Sequence, residues 1–366
     1  MGLPDIVVEF SKKAVVASQR STLGIVGIIL KDAKNNGAMV LRGTDEIPTG
    51  ESAFNDANTA YIERAFTGAP SKVIIYTLPQ DAEDYSEAFK YFSTVKVNYL
   101  CGAPDISSTE AEAFVNWISG VRKNTVRRPV AVLPNVKADN KAVISFKVVN
   151  ATDDDKIKVG DKEYTEAEYC SRIAGLIAGL DPKVSSTYKP LSEVTMIPVA
   201  TDAEVDTAVD EGYLTLYNDG ERIVIARGVN SLTTITEDDT EDLKKIKILA
   251  IQDLVETDIY STINSSYIGN YSNSYDNKCL LITAIKSYLR GLEATEGGKG
   301  YLKADSSTIE INVTKQKQYL ESVGVDTSEM DEQAIKEANT GSKVFLKGTI
   351  SILDAIEDVE ILITKE

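Results

Sequence analysis

The sequence predicts an α/β fold with a mixed, largely parallel sheet at its core, followed by a smaller α+β domain. Three observations lead there. Apolar, strand-like runs alternate with helical patterns between residues 23 and 149. Two hairpin signatures follow, around Gly160-Asp161 and Asn218-Asp219-Gly220. Beyond them, two amphipathic helical patterns flank a turn rich in Ser, Asn, Tyr and Gly. Alternation of the first kind argues for parallel strands, because only a crossover long enough to hold a helix joins a parallel pair.

In chain order, Ile6, Val8 and Phe10 share one side of an extended stretch in residues 1–20. That pattern suits either a first buried strand or an arm that adds to a neighbour's sheet edge. LGIVGIIL (23–30) reads as a buried strand, and GTDEIPTGESAF (43–54) as a surface loop. FNDANTAYIERAF (54–66) is a helix with Ala60, Ile62 and Phe66 apolar and Gly68 as its stop. KVIIYTL (72–78), KVNYLCG (96–102), RPVAVLPN (128–135) and AVISFKVV (142–149) read as strands. Between them stand a helix over 81–95 and a second one opened by Ser107 and Glu110 at capping-box spacing, burying Phe114, Trp117, Ile118 and Val121.

KIKV and KEYT form a hairpin. EAEYCSRIAGLIAGL (166–180) is a helix whose Gly175 and Gly179 flatten one face for close packing onto the sheet. VTMIPVA (194–200) reads as a strand, 201–212 as a helix, and LTLYNDGERIVIAR (214–227) as a hairpin. A helix over 244–263 carries Asp253 and Asp258, and NSSYIGNYSNSYDN (264–277) is the turn after it. In the helix over 278–292, Leu281, Ala284, Ile285, Tyr288 and Leu292 fall on one face. TIEINV (308–313) is a strand, 315–325 a helix, and 331–342 helical and then turning. In 343–366, Val344 with Leu346, Ile350 with Ile352, and Val359, Ile361 and Ile363 alternate with mostly polar partners.

Composition narrows the function. The chain has 366 residues, 43% hydrophobic and 26% charged, enough for about two or three domains with full cores. With no histidine, a Ser-His-Asp or Cys-His site is impossible and the commonest zinc ligand is missing. A net charge of −17 disfavours binding to phosphate backbones, so no nucleic acid is expected as partner. Cys101, Cys170 and Cys279 are far apart and read as reduced apolar residues of a cytosolic compartment. No apolar run approaches the ~20 residues of a membrane span and no secretory signal opens the chain, so no membrane association is expected. Cys101-Gly102-Ala103-Pro104 sits where open α/β sheets bind ligands but lacks a phosphate fingerprint. GGKG (297–300) fails the P-loop spacing, and DDDKIKVGDKEY (153–164) places Ile157 where a calcium loop needs oxygen. No cofactor or metal is predicted.

The order of several blocks carries a family resemblance. The AGLIAG helix, the S-x-T-x-K-x-L segment of SSTYKPL (185–191), the hairpin running into RGVNSLTT, the helix with Asp253 and Asp258, YIGNYSN, the helix ending SYLRGL and the closing LDAIEDVEILIT follow one another. In that order they resemble contractile tail sheath proteins of myophages and R-type bacteriocins. The resemblance covers nearly the whole chain, is strongest from Glu166 onward, and places it among the short sheath proteins without large inserted surface domains. It implies a subtilisin-like sheet topology without protease function. It also implies a structural subunit, not an enzyme, that polymerises with itself as hexameric rings around an inner tube protein and contracts to drive that tube through a cell envelope. Baseplate and tail-terminator proteins are the further partners so implied. The particle would be assembled in the bacterial cytoplasm and released as a virion or bacteriocin.

On this reading the chain divides into an arm (1–20), an α/β body (21–235), a polymerisation domain (242–342) and a C-terminal β arm (343–366). Ile6, Val8, Phe10, Val344, Leu346, Ile350, Ile352, Val359, Ile361 and Ile363 are the expected subunit contacts. Ala17, Leu23, Asn339 and Gly341 are the expected hinges, and Lys299 and Lys303 the expected tube contacts. An α/β hydrolase-like enzyme without histidine and a self-assembling surface-layer protein are the alternatives. The first would need a carboxylate, Lys or Tyr site, and the second a secretion signal.

Overall fold

The computed structural model describes residues 24–237, 239–295 and 300–364. Two compact units divide them: residues up to Ala250 with those from Asp354 onward form one, and Ile251–Leu353 form the other.

The first unit is built on a seven-stranded sheet. Its strands are β1 (Ile25–Asp32), β2 (Gly37–Leu41), β3 (Lys72–Pro79), β4 (Tyr99–Cys101), β5 (Val130–Pro134), β6 (Val143–Phe146) and β9 (Tyr213–Leu214), in the spatial order β2-β3-β1-β4-β5-β6-β9. Every pairing is parallel except that of β2 with β3. Parallel strands covered on both faces are apolar throughout. Ile75, Ile28, Cys101, Val132 and Ile144 accordingly lie side by side in one buried row. That face is covered by α1 (Asp56–Phe66) and α4 (Glu166–Gly179). The opposite face carries Ile29, Ile74, Leu100 and Ala131 against Phe92 of α2 (Ser86–Phe92) and Phe114 and Ile118 of α3 (Ser108–Asn124).

Local chemistry explains where these helices begin. Ser107 accepts from the Glu110 N–H while the Glu110 carboxylate accepts from the Ser107 N–H, closing the capping box expected from sequence. Thr165 with Glu168 and Thr201 with Glu204 do the same for α4 and α5 (Asp202–Asp210). Gly175 and Gly179 permit an approach different from the one expected. Their flat face meets the end of α1, not the sheet: a Cβ on Gly175 would lie 2.0 Å from the Ala65 carbonyl oxygen, and one on Gly179 1.7 Å from that of Gly68. Only a residue without a side chain fits there.

Two other expectations are corrected. Residues 194–200 form no strand; only an isolated bridge joins Met196 to Lys158, and Met196 and Val199 are exposed. Conversely β2 had no sequence reading; its short apolar run, GAMVL, lies at the sheet edge with alternate residues exposed. The two expected hairpins are present as β7 (Ile157–Val159) with β8 (Lys162–Tyr164), and β10 (Leu216–Asn218) with β11 (Ile223–Ile225).

Helix α6 (Ile246–Ser266) starts in the first unit and continues into the second. The second unit adds α7 (Tyr275–Leu292), α8 (Val313–Ser322), α9 (Glu332–Glu337) and the antiparallel pair β12 (Thr308–Ile311) and β13 (Leu346–Thr349). Its core joins Ile251, Leu254 and Val255 of α6 to Leu281, Ile285, Tyr288, Leu289 and Leu292 of α7. Four of the five residues expected on the inner face of α7 are buried, and Ala284 is half-buried. The turn between the helices is shorter than expected, since α6 runs on through Ser266 and Ser274 caps α7 by accepting from the Asn277 N–H. Among the described residues no helix is long and apolar enough to cross a membrane, and no group of three or more His, Cys, Asp or Glu is placed to hold a metal ion.

Candidate assembly surfaces

The crevice where this sheet topology would hold a small ligand is filled. After β1 the chain moves to one side of the sheet and after β4 to the other, so the switch point lies between their carboxyl ends. There the Tyr61 hydroxyl donates to the Gly102 carbonyl (3.0 Å) and the Ala103 N–H donates to the Tyr85 hydroxyl (3.2 Å), with both rings buried. Burial raises both phenols above their ordinary range. Asp32, also buried, accepts from the N–H groups of Lys34 (2.9 Å) and Asn35 (3.0 Å) and from the Asn58 amide (3.2 Å). Burial alone would raise its pKa, but these donors outweigh it and hold the carboxyl below its ordinary range. Its acceptor capacity is taken up by its own loop and by the start of α1. Burial pushes the Cys101 thiol up to about 12, which leaves it a packed apolar group.

The motifs singled out in sequence meet elsewhere. In RGVNSLTT, buried Asn230 donates from its side chain to the Leu243 carbonyl (2.7 Å), and its own N–H donates to that of Lys244 (2.8 Å). The segment is thereby clamped to the turn in front of α6. Ser231 donates to the Asn140 carbonyl, and Asp139 accepts from the N–H groups of Thr233 (2.8 Å) and Thr234 (2.9 Å), which hold that carboxyl well below its usual range. Asp258 accepts from the Tyr288 hydroxyl (3.0 Å) across the α6–α7 interface, and Asp253 is buried nearby on the same helix. Burial, with Asp258 beside it, raises Tyr288 strongly. Both aspartates therefore belong to the interior of the molecule.

The residues named for assembly distribute as follows. Ile6, Val8, Phe10, Ala17, Leu23 and Lys299 lie outside the described residues. Leu346 stands in β13, and with Ile350 and Ile352 it packs against the core of the second unit; Val344 is exposed just before it. The chain thus stays within the second unit through Leu353 and departs only afterwards. Asn339 and Gly341 sit in a turn stitched by Asn273, whose amide donates to the carbonyls of Gly341 (2.8 Å) and Lys343 (3.0 Å). Motion there has to break those bonds. Lys303 is exposed, and its N–H donates to the Ser351 carbonyl.

Residues 354–364 make no strand, and their apolar side chains face solvent: Ile356, Val359, Ile361, Leu362 and Ile363 are 69–92% exposed. Glu357 is the exception, with its side chain only 5% exposed. It accepts from the hydroxyls of Ser185 and Thr187, both at 2.7 Å, and lies 3.4 Å from the Lys245 ammonium and 4.0 Å from the Arg227 guanidinium. Lys245 also pairs with Asp354, and Arg227 with Asp358. Sequence reasoning did not assemble this cluster, although Ser185, Thr187 and Arg227 lie inside quoted motifs. The available signal was four carboxylates, Asp354, Glu357, Asp358 and Glu360, set among the apolar residues of 354–363.

Comparisons with known proteins agree with this architecture. Residues 80–231 match the phage tail sheath protein central domain and residues 238–363 the phage tail sheath C-terminal domain. The tail sheath protein of Clostridium phage phiCD119 is 39% identical over 368 residues, covering 98% of both chains. Among solved structures, the helical sheath of the anti-feeding prophage in its contracted state superposes with a TM-score of 0.68 at 13% identity, covering 94% of each chain. The sheath tail protein of Listeria innocua gives 0.67 at 11% identity, over 94% of this chain and 100% of that one. The chain belongs to the phage tail sheath protein family.

Proposed function

We propose that this chain is the contractile subunit of its particle, polymerising as stacked six-membered rings around an inner tube and contracting to drive that tube through a target envelope. The observation that carries the reading is the C-terminal tail, where Ile356, Val359, Ile361, Leu362 and Ile363 stand exposed on an extended segment. Leaving such a side chain in water forgoes about 1.5–3 kcal/mol relative to burial. A run of them marks a surface that a partner covers.

The acceptor in this reading is the β12–β13 pair of a neighbouring subunit, since no third strand joins it among the described residues. Strand addition gives directional backbone hydrogen bonds. Contacts repeated head to tail without closing build a helical polymer. The N-terminal arm with Ile6, Val8 and Phe10 would add to the same sheets, and Lys303 with Lys299 would face the tube. Contraction then releases energy stored in a kinetically trapped extended state, with no nucleotide or cofactor required. Baseplate and terminator proteins would close the two ends. A hydrolase-like reading has less support, because Tyr61 and Tyr85 fill the switch-point crevice.

Negative-stain electron microscopy of the purified chain, with sedimentation, tests the proposal. Long hollow tubes with a helical repeat are expected, and monomers that persist even with the tube protein added would overturn it. Deleting residues 1–18 is expected to leave a folded subunit that does not polymerise; normal tubes from that truncation would remove the arm from the model. Charge reversal at Lys299 and Lys303 is expected to weaken tube binding, and unchanged binding would discard both.

A further inference from the structure

We propose that Asp354, Glu357 and Asp358 form a latch that fixes the point where the C-terminal tail leaves its own subunit, so that only the apolar stretch beyond it is free to add to a second copy of this chain. The inference rests on the sheath reading for its consequence but not for its geometry. In a tail whose neighbouring side chains are exposed, Glu357 alone is withdrawn from solvent, and its carboxylate meets two hydroxyls and two cations. The cations serve twice, Lys245 holding Asp354 upstream and Arg227 holding Asp358 downstream. Ile356, between them, is 90% exposed, so the segment is held by its acids and not by hydrophobic packing.

The socket is organised independently of the tail. The Thr187 hydroxyl accepts from the Gly228 N–H (2.9 Å), and the Ser185 hydroxyl accepts from the Thr187 N–H (3.1 Å). Lys245 is bridged to Val229 through the backbone. A Cβ at Gly228 would lie 2.4 Å from the Ser186 hydroxyl oxygen, so the two segments press together at that glycine. The S-x-T segment, the start of RGVNSLTT and the approach to α6 thus converge on one carboxylate. On a chain of net charge −17, two cations gathered against three acids make a specific match.

The latch also sets reach. Counted from Asp358, the residues up to Thr364 span about 20 Å when extended, against about 36 Å if the tail swung from Leu353. A shorter tether narrows the positions at which a neighbour's sheet can be engaged and raises the effective concentration at the right one.

Cleavage of the full-length chain by a glutamyl endopeptidase, followed by mass spectrometry, tests this. Glu357 and Glu360 are the two sites compared, each normalised to its rate in a free peptide of residues 350–364. In the intact protein Glu357 is expected to be cut at least about tenfold more slowly than Glu360, since cleavage follows the open population. Lys245→Glu is expected to abolish that protection. Ser185→Ala, a milder change should the first variant fail to fold, is expected to reduce it. Equal normalised rates in the unaltered protein overturn the latch, whether or not tubes form. Protection in a chain that never assembles keeps the latch and removes the sheath reading. Regular tubes from a folded variant that has lost protection overturn the positioning role.

Discussion

Two eight-residue stretches of similar character meet opposite fates. IVGIILKD forms β1 at the centre of the sheet, where Val26, Ile28, Ile29 and Leu30 are all 0% exposed. IEDVEILI (356–363) is equally rich in branched apolar residues and leaves five of them in solvent. The difference is charge placement. β1 carries its ionic residues only at the end, whereas Glu357, Asp358 and Glu360 interrupt the tail. Ionised carboxylates cannot enter an apolar core unpaired. They also keep an exposed β-prone segment from sticking indiscriminately. One stretch satisfies itself within the chain; the other is kept soluble until a partner covers it.

The same substitution placed in each stretch breaks the comparison most sharply. Ile29→Asp buries an unpaired charge and is expected to cost several kcal/mol, leaving the chain insoluble on expression. Ile361→Asp is expected to leave the melting temperature within about 1 °C, as a surface change does, while sedimenting polymer disappears. A destabilised Ile361→Asp monomer would mean that the tail is packed in cis after all. Next in size is Gly179→Ala, whose new methyl would lie 1.7 Å from a backbone carbonyl oxygen. On the order of 3 kcal/mol and a fall of about 10 °C in melting temperature are expected by circular dichroism. Asn230→Ala follows, removing side-chain hydrogen bonds from a buried clamp, with about 1–3 kcal/mol lost in denaturant titration.

The smallest expected effect is the pH response of the tail. Burial opposes ionisation of Asp354, but the Lys245 hydrogen bond, the Ala355 N–H and the charges of Lys245 and Lys247 outweigh it and lower its pKa. Its contribution to docking is therefore complete above the ordinary carboxylate range, about pH 4, and is lost as pH falls through the depressed value. Lys245 behaves in mirror fashion. Burial pulls it down, yet Asp354 and Glu357 raise it overall, so its contribution is lost only as pH rises beyond its ordinary range. Lys247, lowered by burial, adds a smaller positive field. Normalised protection of Glu357 should thus be flat near neutrality and fall below about pH 4. Protection that persists at lower pH would show hydroxyl contacts dominating over charge.

Sequence legibility followed the range of the interactions. Ser107 with Glu110, the Gly160-Asp161 hairpin and the inner face of α7 were readable because each depends on residues within a few positions of one another. Residues 194–200 misled because an apolar composition resembles a strand even where pairing stops at a single bridge, here Met196 to Lys158. The Asn230 clamp lay inside a motif noticed for its word order, yet its purpose needed the Leu243 turn beside it.

By itself, then, the sequence determined the alternation of strands and helices, the capped helix starts, the impossibility of histidine chemistry and, through the order of its blocks, the family. Each of these is written in local spacing or in simple presence and absence. Only the tertiary structure decided that β1 lies between β3 and β4, that the two glycines of α4 meet α1, and that Ser185, Arg227, Lys245 and Glu357 share one cluster. Those facts depend on which distant segments come within a few ångströms, and no local pattern encodes such a pairing until chain closure and packing select it.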